Sequence, residues 1–386
     1  MSFKKIIGKV HLWLGLTSGL IVVIIALTGC LYAFQEEIQD MMQPFRYVKA
    51  ENKSFIQPSR LKAIAEAALP GKHIHSVGYG SKTDAVKASF YAAEPGEYYY
   101  MVYINPYSGE VIKVLDMESG FFPWVLDGHF YLWLPPTIGQ PVVATATLIF
   151  VVMMISGIIL WWPKNKAARK QRFKVKWNAR WRRVNYDLHN VFGFYITWVV
   201  IFIALTGLVW GFQWFAKAAY WGVGGEKTTE YIEPLSDTTQ KAMYAQPVDV
   251  IWNRLQPEAA NVATLEMHFP TSDSGAIEAA LNADKKTYWQ TDYRFYDQYT
   301  LKEIPVSHIW GRIDQAKTAD KIFRMNYDIH TGAVLGLPGK FLAFFASLIA
   351  ASLPVTGFII WLGRRKKKIA HSPTTVPAES RVLSLK

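Results

Sequence analysis

The sequence predicts a membrane α-helical protein: four transmembrane helices arranged as an internal two-fold repeat, with two small extracytoplasmic α+β domains. Three observations predict it. Four apolar stretches reach the roughly 20 residues that cross a bilayer: Val10 to Phe34, Val142 to Trp162, Val191 to Phe215 and Phe341 to Leu362. Charge is segregated among the segments that connect them. The first and third stretches also share a spaced pattern of residues at one constant offset.

The helices come first. Hydrophobic residues make up 51% of the chain and aromatics 15%, more than soluble domains carry. Each apolar stretch is read as a helix because lipid offers an isolated segment's backbone no other partner.

The net charge of +12 raises the question of nucleic acid, and its distribution answers it. Lys4, Lys5 and Lys9 precede the first helix, ten Lys or Arg and no acid lie between Lys164 and Arg183, and Arg364 to Lys368 follow the fourth. Segments 36–138 and 216–338 are mildly acidic. This alternation obeys the positive-inside rule with both termini cytoplasmic and both large loops outside. The basic loop is therefore a cytoplasmic anchor beside anionic lipid, and nucleic acid is excluded as a partner. The expected location is a bacterial inner membrane, with the large loops periplasmic.

One cysteine, Cys30, forms no internal disulfide, and no CxxC motif exists. Leu27-Thr28-Gly29-Cys30 resembles the lipobox of a cleaved lipoprotein signal. Two features oppose cleavage: the helix continues past Cys30 through Phe34, and Leu-Thr-Gly recurs at 205–207, where no cleavage would serve.

That recurrence belongs to a longer match. His11-x3-Gly15-x12-Thr28-Gly29-x4-Phe34-Gln35 in the first helix matches His189-x3-Gly193-x12-Thr206-Gly207-x4-Phe212-Gln213 in the third, at an offset of 178. Ser156-Gly157-Ile158-Ile159-Leu160-Trp161 matches Thr356-Gly357-Phe358-Ile359-Ile360-Trp361 at 200, and His129 matches His330 at 201. Each half reads helix, outer domain, histidine, helix, an organisation expected of parallel repeats about an axis along the membrane normal. The expected layout is 1–35 terminus and first helix, 36–138 first outer domain, 139–162 second helix and 163–188 basic loop. It continues with 189–215 third helix, 216–338 second outer domain, 339–363 fourth helix and 364–386 cytoplasmic tail.

Within the outer domains, Arg60 to Leu69 reads as a helix ending at Pro70-Gly71, followed by strands and a hairpin turn at Asn105-Pro106-Tyr107-Ser108-Gly109. The second domain predicts a helix over Val248 to Leu255, strands over Ala276 to Leu281 and Thr287 to Tyr296, and a turn at Asp297-Gln298-Tyr299-Thr300. No GxGxxG loop, P-loop or flavin-binding segment is present, so electrons or energy come from another protein or from the membrane.

His11 and His189 lie at the cytoplasmic ends of their helices, each with glycine one turn on, at Gly15 and Gly193. An imidazole beside a missing side chain is what a flat macrocycle between helices requires. Two neutral imidazoles give a six-coordinate b-type haem suited to electron transfer; interfacial histidine at a helix end is the plainer alternative. His129 and His330, at matching positions on the outer side, read as a second ligand pair. Thr28-Gly29 and Thr206-Gly207 either give that ring clearance or simply pack helices together, and both readings stand at this stage. Pro354 kinks the fourth helix for packing or for ring space. His73 and His75 share one strand face, while His268 and His308 read as surface or packing residues and His371 lies in a polar tail.

The paired His-x3-Gly and Thr-Gly helices, the hairpin Val102 to Val111, the segment Asp328-Ile329-His330-Thr331-Gly332 and the ending Ser156-Gly157-x3-Trp161-Trp162-Pro163 together resemble the PepSY-associated transmembrane family. The resemblance spans about Lys4 to Arg365. It includes iron-regulated membrane proteins and siderophore reductases of the ferrioxamine type. It implies PepSY-like outer domains, two b-type haems with His11, His189, His129 and His330 as axial ligands, and an oxidoreductase that reduces ferric siderophore in the periplasm to release Fe(II). It leaves the donor open between a cytoplasmic reductase and membrane quinol, because the reductase domain fused in some relatives is missing. Two other classes compete: a non-redox regulator or sensor anchored by its helices, and a component of siderophore or iron transport. The scarcity of polar residues within the membrane segments opposes transport.

Overall fold

The computed structural model describes residues 2–92, 97–163 and 165–369. The predicted tail beyond 369, with His371, lies outside the described residues. In chain order the elements are α1 (Phe3–Tyr32), α2 (Gln35–Met42), α3 (Pro58–Ala68), β1 (Ser76–Tyr79), β2 (Val86–Ala92), β3 (Tyr98–Ile104), β4 (Val111–Asp116), α4 (Phe121–Tyr131) and α5 (Pro136–Trp161). After them come α6 (Lys166–Arg172), α7 (Trp181–Gly211), α8 (Gln213–Gly222), α9 (Pro247–Ala259), β5 (Thr264–His268), β6 (Ile277–Asn282), β7 (Asp292–Tyr296), β8 (Glu303–Ile304), α10 (Thr318–Arg324), α11 (Asn326–Thr331) and α12 (Gly336–Ile369).

Four helices, α1, α5, α7 and α12, are long and apolar enough to cross a membrane. Only 22% to 33% of their most apolar windows is buried within the protein. A surface of Trp13, Leu20, Ile155, Trp198 and Phe202 is thus turned outward, which lipid accepts and water does not. The helices start earlier than the apolar stretches predict, at Phe3, Pro136, Trp181 and Gly336. Hydropathy marks only the most apolar turns; α1 and α7 begin with basic turns, holding Lys4, Lys5 and Lys9 and Arg182 and Arg183, whose long side chains suit a membrane interface. The helices form a closed ring in which α1 and α7 each pack on α5 and α12. Val22, Phe150, Met154, Val200, Leu208 and Ala350 fill its centre. Pro354 remains within α12, and a Cβ on Gly19 of α1 would stand 3.1 Å from its ring, so this pair brings the two helices together.

The two outer domains expected from the sequence are joined in one antiparallel sheet. Its order is β4-β3-β2-β1-β5-β6-β7-β8, with the seam formed by β1 and β5 in the register Ser76↔His268 to Tyr79↔Leu265. Each half alone would leave an edge strand of unpaired backbone groups, and pairing the two edges satisfies both. Helices α3 and α9 cover one face, burying Leu61, Ala65, Ile251 and Trp252 against Val77, Phe90, Val102, Met267 and Ala279. Asp249 of α9 accepts hydrogen bonds from the Ser59 amide, at 2.8 Å, and from the Ser59 hydroxyl of α3, tying the helix starts together.

The hairpin turn forms as its residues predict: Asn105 Oδ1 accepts the Tyr107 and Ser108 amides, and Gly109 takes φ +79°. The strand predicted over Thr287 to Tyr296 begins only at Asp292. The amides of Tyr288 and Trp289 instead donate to the buried Asp328 carboxylate at 3.0 to 3.2 Å, which anchors α11.

Candidate functional site

Two pairs of histidines are brought into the helix ring. His11 on α1 and His189 on α7 lie toward the end remote from the sheet, on helices that face each other across the ring. His11 Nδ1 is 2.8 Å from Ser156 Oγ of α5, and His189 Nδ1 is 2.9 Å from Thr356 Oγ1 of α12. Each hydroxyl gives its own proton to a helix carbonyl, Ser156 to Met153 and Thr356 to Ser352 and Leu353. It therefore accepts from the imidazole. That puts a proton on Nδ1 and leaves Nε2 without a protein partner, the nitrogen through which a neutral imidazole would bind metal.

The same result is reached differently at the sheet end. His129 is carried by α4 and His330 by α11, short helices that lie against α1 and α7. His129 Nδ1 is 2.8 Å from the Ile25 carbonyl and 3.3 Å from Thr28 Oγ1. His330 Nδ1 is 2.9 Å from the Ile203 carbonyl and 3.0 Å from Thr206 Oγ1. A carbonyl only accepts, so Nδ1 again carries the proton. Burial pushes the basicity of both rings down, that of His330 to about 3 with His129 contributing, which keeps them neutral. Their ring centres are 6.0 Å apart.

Glycines give the rings their seats. A Cβ on Gly29 would stand 3.0 Å from His129 Cε1, and one on Gly207 3.4 Å from His330 Cε1. At the other end, a Cβ on Gly157 would meet His11 Cε1 at 3.5 Å and one on Gly357 would meet His189 Cε1 at 3.2 Å. The Thr-Gly pairs thus hold the imidazoles directly, threonine by hydrogen bond and glycine by absence. Gly15 and Gly193 are placed otherwise: their missing side chains face Met153 of α5, at 2.9 Å, and Leu353 of α12, at 3.8 Å.

His129 and His330 both line a cavity of about 390 Å³ that runs inward among all four long helices. Ala26, Ala144, Ala204, Gly211 and Ala343 keep its walls small. Volume and apolar lining are those of a site for a bulky organic group.

Sequence reasoning did not find Ser156 and Thr356 as histidine partners, although their equivalence within the repeat was visible. It placed His73 and His75 on one strand face; both precede β1, and His75 Nε2 lies 3.1 Å from His268 Nδ1 across the β1–β5 seam. Among the described residues no cluster of three or more His, Cys, Asp or Glu is arranged to hold a metal ion.

The fold and these seats define a class: a membrane protein of four apolar helices bearing an extramembrane sheet, with two histidine pairs inside the helix ring. The chain belongs to the family with a PepSY-associated TM region, whose model matches residues 9–364. No curated protein matches the chain.

Proposed function

We propose that the protein is a di-haem electron-transfer protein of a bacterial inner membrane that reduces ferric siderophore on the periplasmic side. The observation that carries this reading is that all four histidines, in two pairs, engage neighbouring oxygens through Nδ1 and leave Nε2 without a hydrogen-bond partner among the described residues. The fit can be tested on the His129–His330 pair. The residues present fit such a group: the His129 and His330 ring centres stand 6.0 Å apart, and both rings line an apolar cavity with room for a bulky planar group.

His129 and His330 would hold one b-type haem and His11 and His189 the other. Bound there, haem supplies one-electron transfer between the two faces, and Fe(III) reduced to the softer Fe(II) leaves the hard oxygen donors of a siderophore. The chain's own residues do the rest. Ser156, Thr356 and the Ile25 and Ile203 carbonyls fix the imidazole tautomers, small residues clear the cavity, and the apolar walls exclude water. No side chain is asked to act as acid, base or nucleophile. The basic ends and mildly acidic loops support cytoplasmic termini and a periplasmic sheet, and the electron donor is a cytoplasmic reductase or membrane quinol.

The test is an absorption spectrum of the purified protein in air and after dithionite, followed by haem counting in single His→Ala variants. The expected outcome is a Soret band with a sharp reduced α-band. His11 or His189 changes should remove one haem, and His129 or His330 changes the other. Colourless protein would favour the non-redox regulator or sensor. Iron uptake by proteoliposomes without reductant would favour the transport component.

A further inference from the structure

A second pocket, of about 310 Å³, opens beside the sheet-side end of α7. Its walls are aromatic: Trp210, Tyr288, Trp310, Phe323 and Tyr327. Such walls favour a flat ring, by stacking or edge contact. The polar lining is Gln213, Thr229, Asn326 and Arg324 with the ion pair Lys217–Glu230, whose nitrogen and oxygen are 2.9 Å apart. Arg324 is only 2% exposed. Its two terminal nitrogens donate to the Gly311 and Thr291 carbonyls, while its Nε is buried and without a hydrogen-bond partner among the described residues. A buried guanidinium N–H left over in an aromatic pocket calls for an oxygen acceptor. Tyr288, half exposed at the pocket wall, keeps its hydroxyl proton at neutral pH and adds a donor.

The pocket's place adds the rest. Val209, Trp210, Gln213, Ala216 and Lys217 bring it to the end of a membrane helix and onto α8, whose Trp214 and Trp221 are turned outward. Trp210 also lines the cavity of His129 and His330, with its ring centre 5.1 Å from that of His330. Asn326, at the pocket wall, donates to the carbonyl of Thr206, the residue whose hydroxyl holds His330.

We infer that this pocket binds a planar ring carrying two oxygen substituents, set against Trp210 and bonded by Arg324. For its purpose, redox exchange beside His330, the assignment rests on the electron-transfer reading. Two sources supply such a ring: the headgroup of a membrane quinone and the catechol arm of a siderophore.

The test is calorimetric titration of the purified full-length protein in detergent with decylubiquinone, with 2,3-dihydroxybenzoate, and with benzoate as the ring lacking the paired oxygens. At least one of the first two should bind and benzoate should not. Ala216→Trp, which fills the pocket from α8, should abolish binding with the Soret band unchanged. Arg324→Gln should weaken it by about tenfold, the loss of one buried charge-assisted hydrogen bond. Binding of decylubiquinone alone assigns the ring to a membrane quinone, and binding of 2,3-dihydroxybenzoate alone assigns it to a catechol. Binding of neither, equal binding of benzoate, or undiminished binding by Ala216→Trp overturns the inference. Ring binding by a protein without haem absorbance would uphold the pocket and overturn the electron-transfer reading.

Discussion

Thr356 Oγ1 stands 2.9 Å from His189 Nδ1, and Ser156 repeats the contact at His11 with 2.8 Å. A hydroxyl that fixes the tautomer of a metal-binding histidine is worth roughly 10- to 100-fold in metal affinity. Thr356→Ala and Ser156→Ala should each weaken haem binding at that end by this factor, with Thr356→Ser close to wild type. Haem titration into apo-protein, followed by absorbance, measures it. Equal affinity in Thr356→Ala would dismiss the hydroxyl's role.

The glycine seats should be graded by clearance. Gly29→Ala puts a methyl 3.0 Å from His129 Cε1, whereas Gly207→Ala leaves 3.4 Å at His330. Overpacking of the tighter kind costs about 1–3 kcal/mol, so Gly29→Ala should lower occupancy of the proposed sheet-side haem while Gly207→Ala is tolerated. At the other end Gly357→Ala, at 3.2 Å, should harm more than Gly157→Ala, at 3.5 Å. Haem per chain in the four variants gives the ranking, and a reversed order would mean that the rings sit elsewhere.

Much of this site was legible because its signals are local or arithmetic. Hydropathy located α1, α5, α7 and α12, and a constant offset tied His11 to His189. What hid was set by other means. The β1–β5 seam joins Ser76 to His268, far apart in the chain, and nothing in Ser76-Val77-Gly78-Tyr79 marks it as an inner strand. The Ile25 and Ile203 carbonyls have no identity in a sequence, since every residue owns one. Ser156 and Thr356 were visible as a repeated small-residue position, yet only the packing of α1 on α5 and of α7 on α12 turns them toward histidines. Gly15 and Gly193 illustrate the converse: spacing placed them one turn from the histidines, and the neighbouring helices took up the space.

The seam should be sensitive to acid. Burial, with His268 adding to it, pushes His75 below its ordinary value of 6.5. The unfolded chain then takes up a proton that the folded chain refuses, so stability falls as pH drops below about 6.5. Glu278, raised above 4.5 by burial, acts in the opposite sense: the folded state takes its proton first and is favoured as pH approaches that range from above. Thermal midpoints measured from about pH 8 to pH 5 should fall less steeply in His75→Gln and more steeply in Glu278→Gln. Parallel curves for all three proteins would place the titrating groups away from the seam.

The start of α12 depends on one ion pair. Lys340, 6% exposed, sends its Nζ to both carboxylate oxygens of Glu37 on α2, at 2.8 and 3.0 Å. Removing one partner of a buried pair costs about 3–5 kcal/mol, whereas replacing both with apolar groups is often neutral. The 24% exposure of the Glu37 side chain puts Glu37→Ala at the lower end, about 3 kcal/mol. Lys340→Met should cost less, because water reaches the carboxylate left behind, and Glu37→Leu with Lys340→Met should recover most of the loss. The pair also bears on the site: the preceding residue, Gly339, lies so close to Gly332 that a Cβ there would overlap the Gly332 carbonyl, and Gly332 ends the helix carrying His330. The haem proposed for the sheet side should therefore be the first lost when Glu37→Ala is warmed. Following the thermal midpoint and haem absorbance together tests both: an unchanged midpoint would show the pair to be screened by water, and loss of both haems in one step would uncouple it from His330.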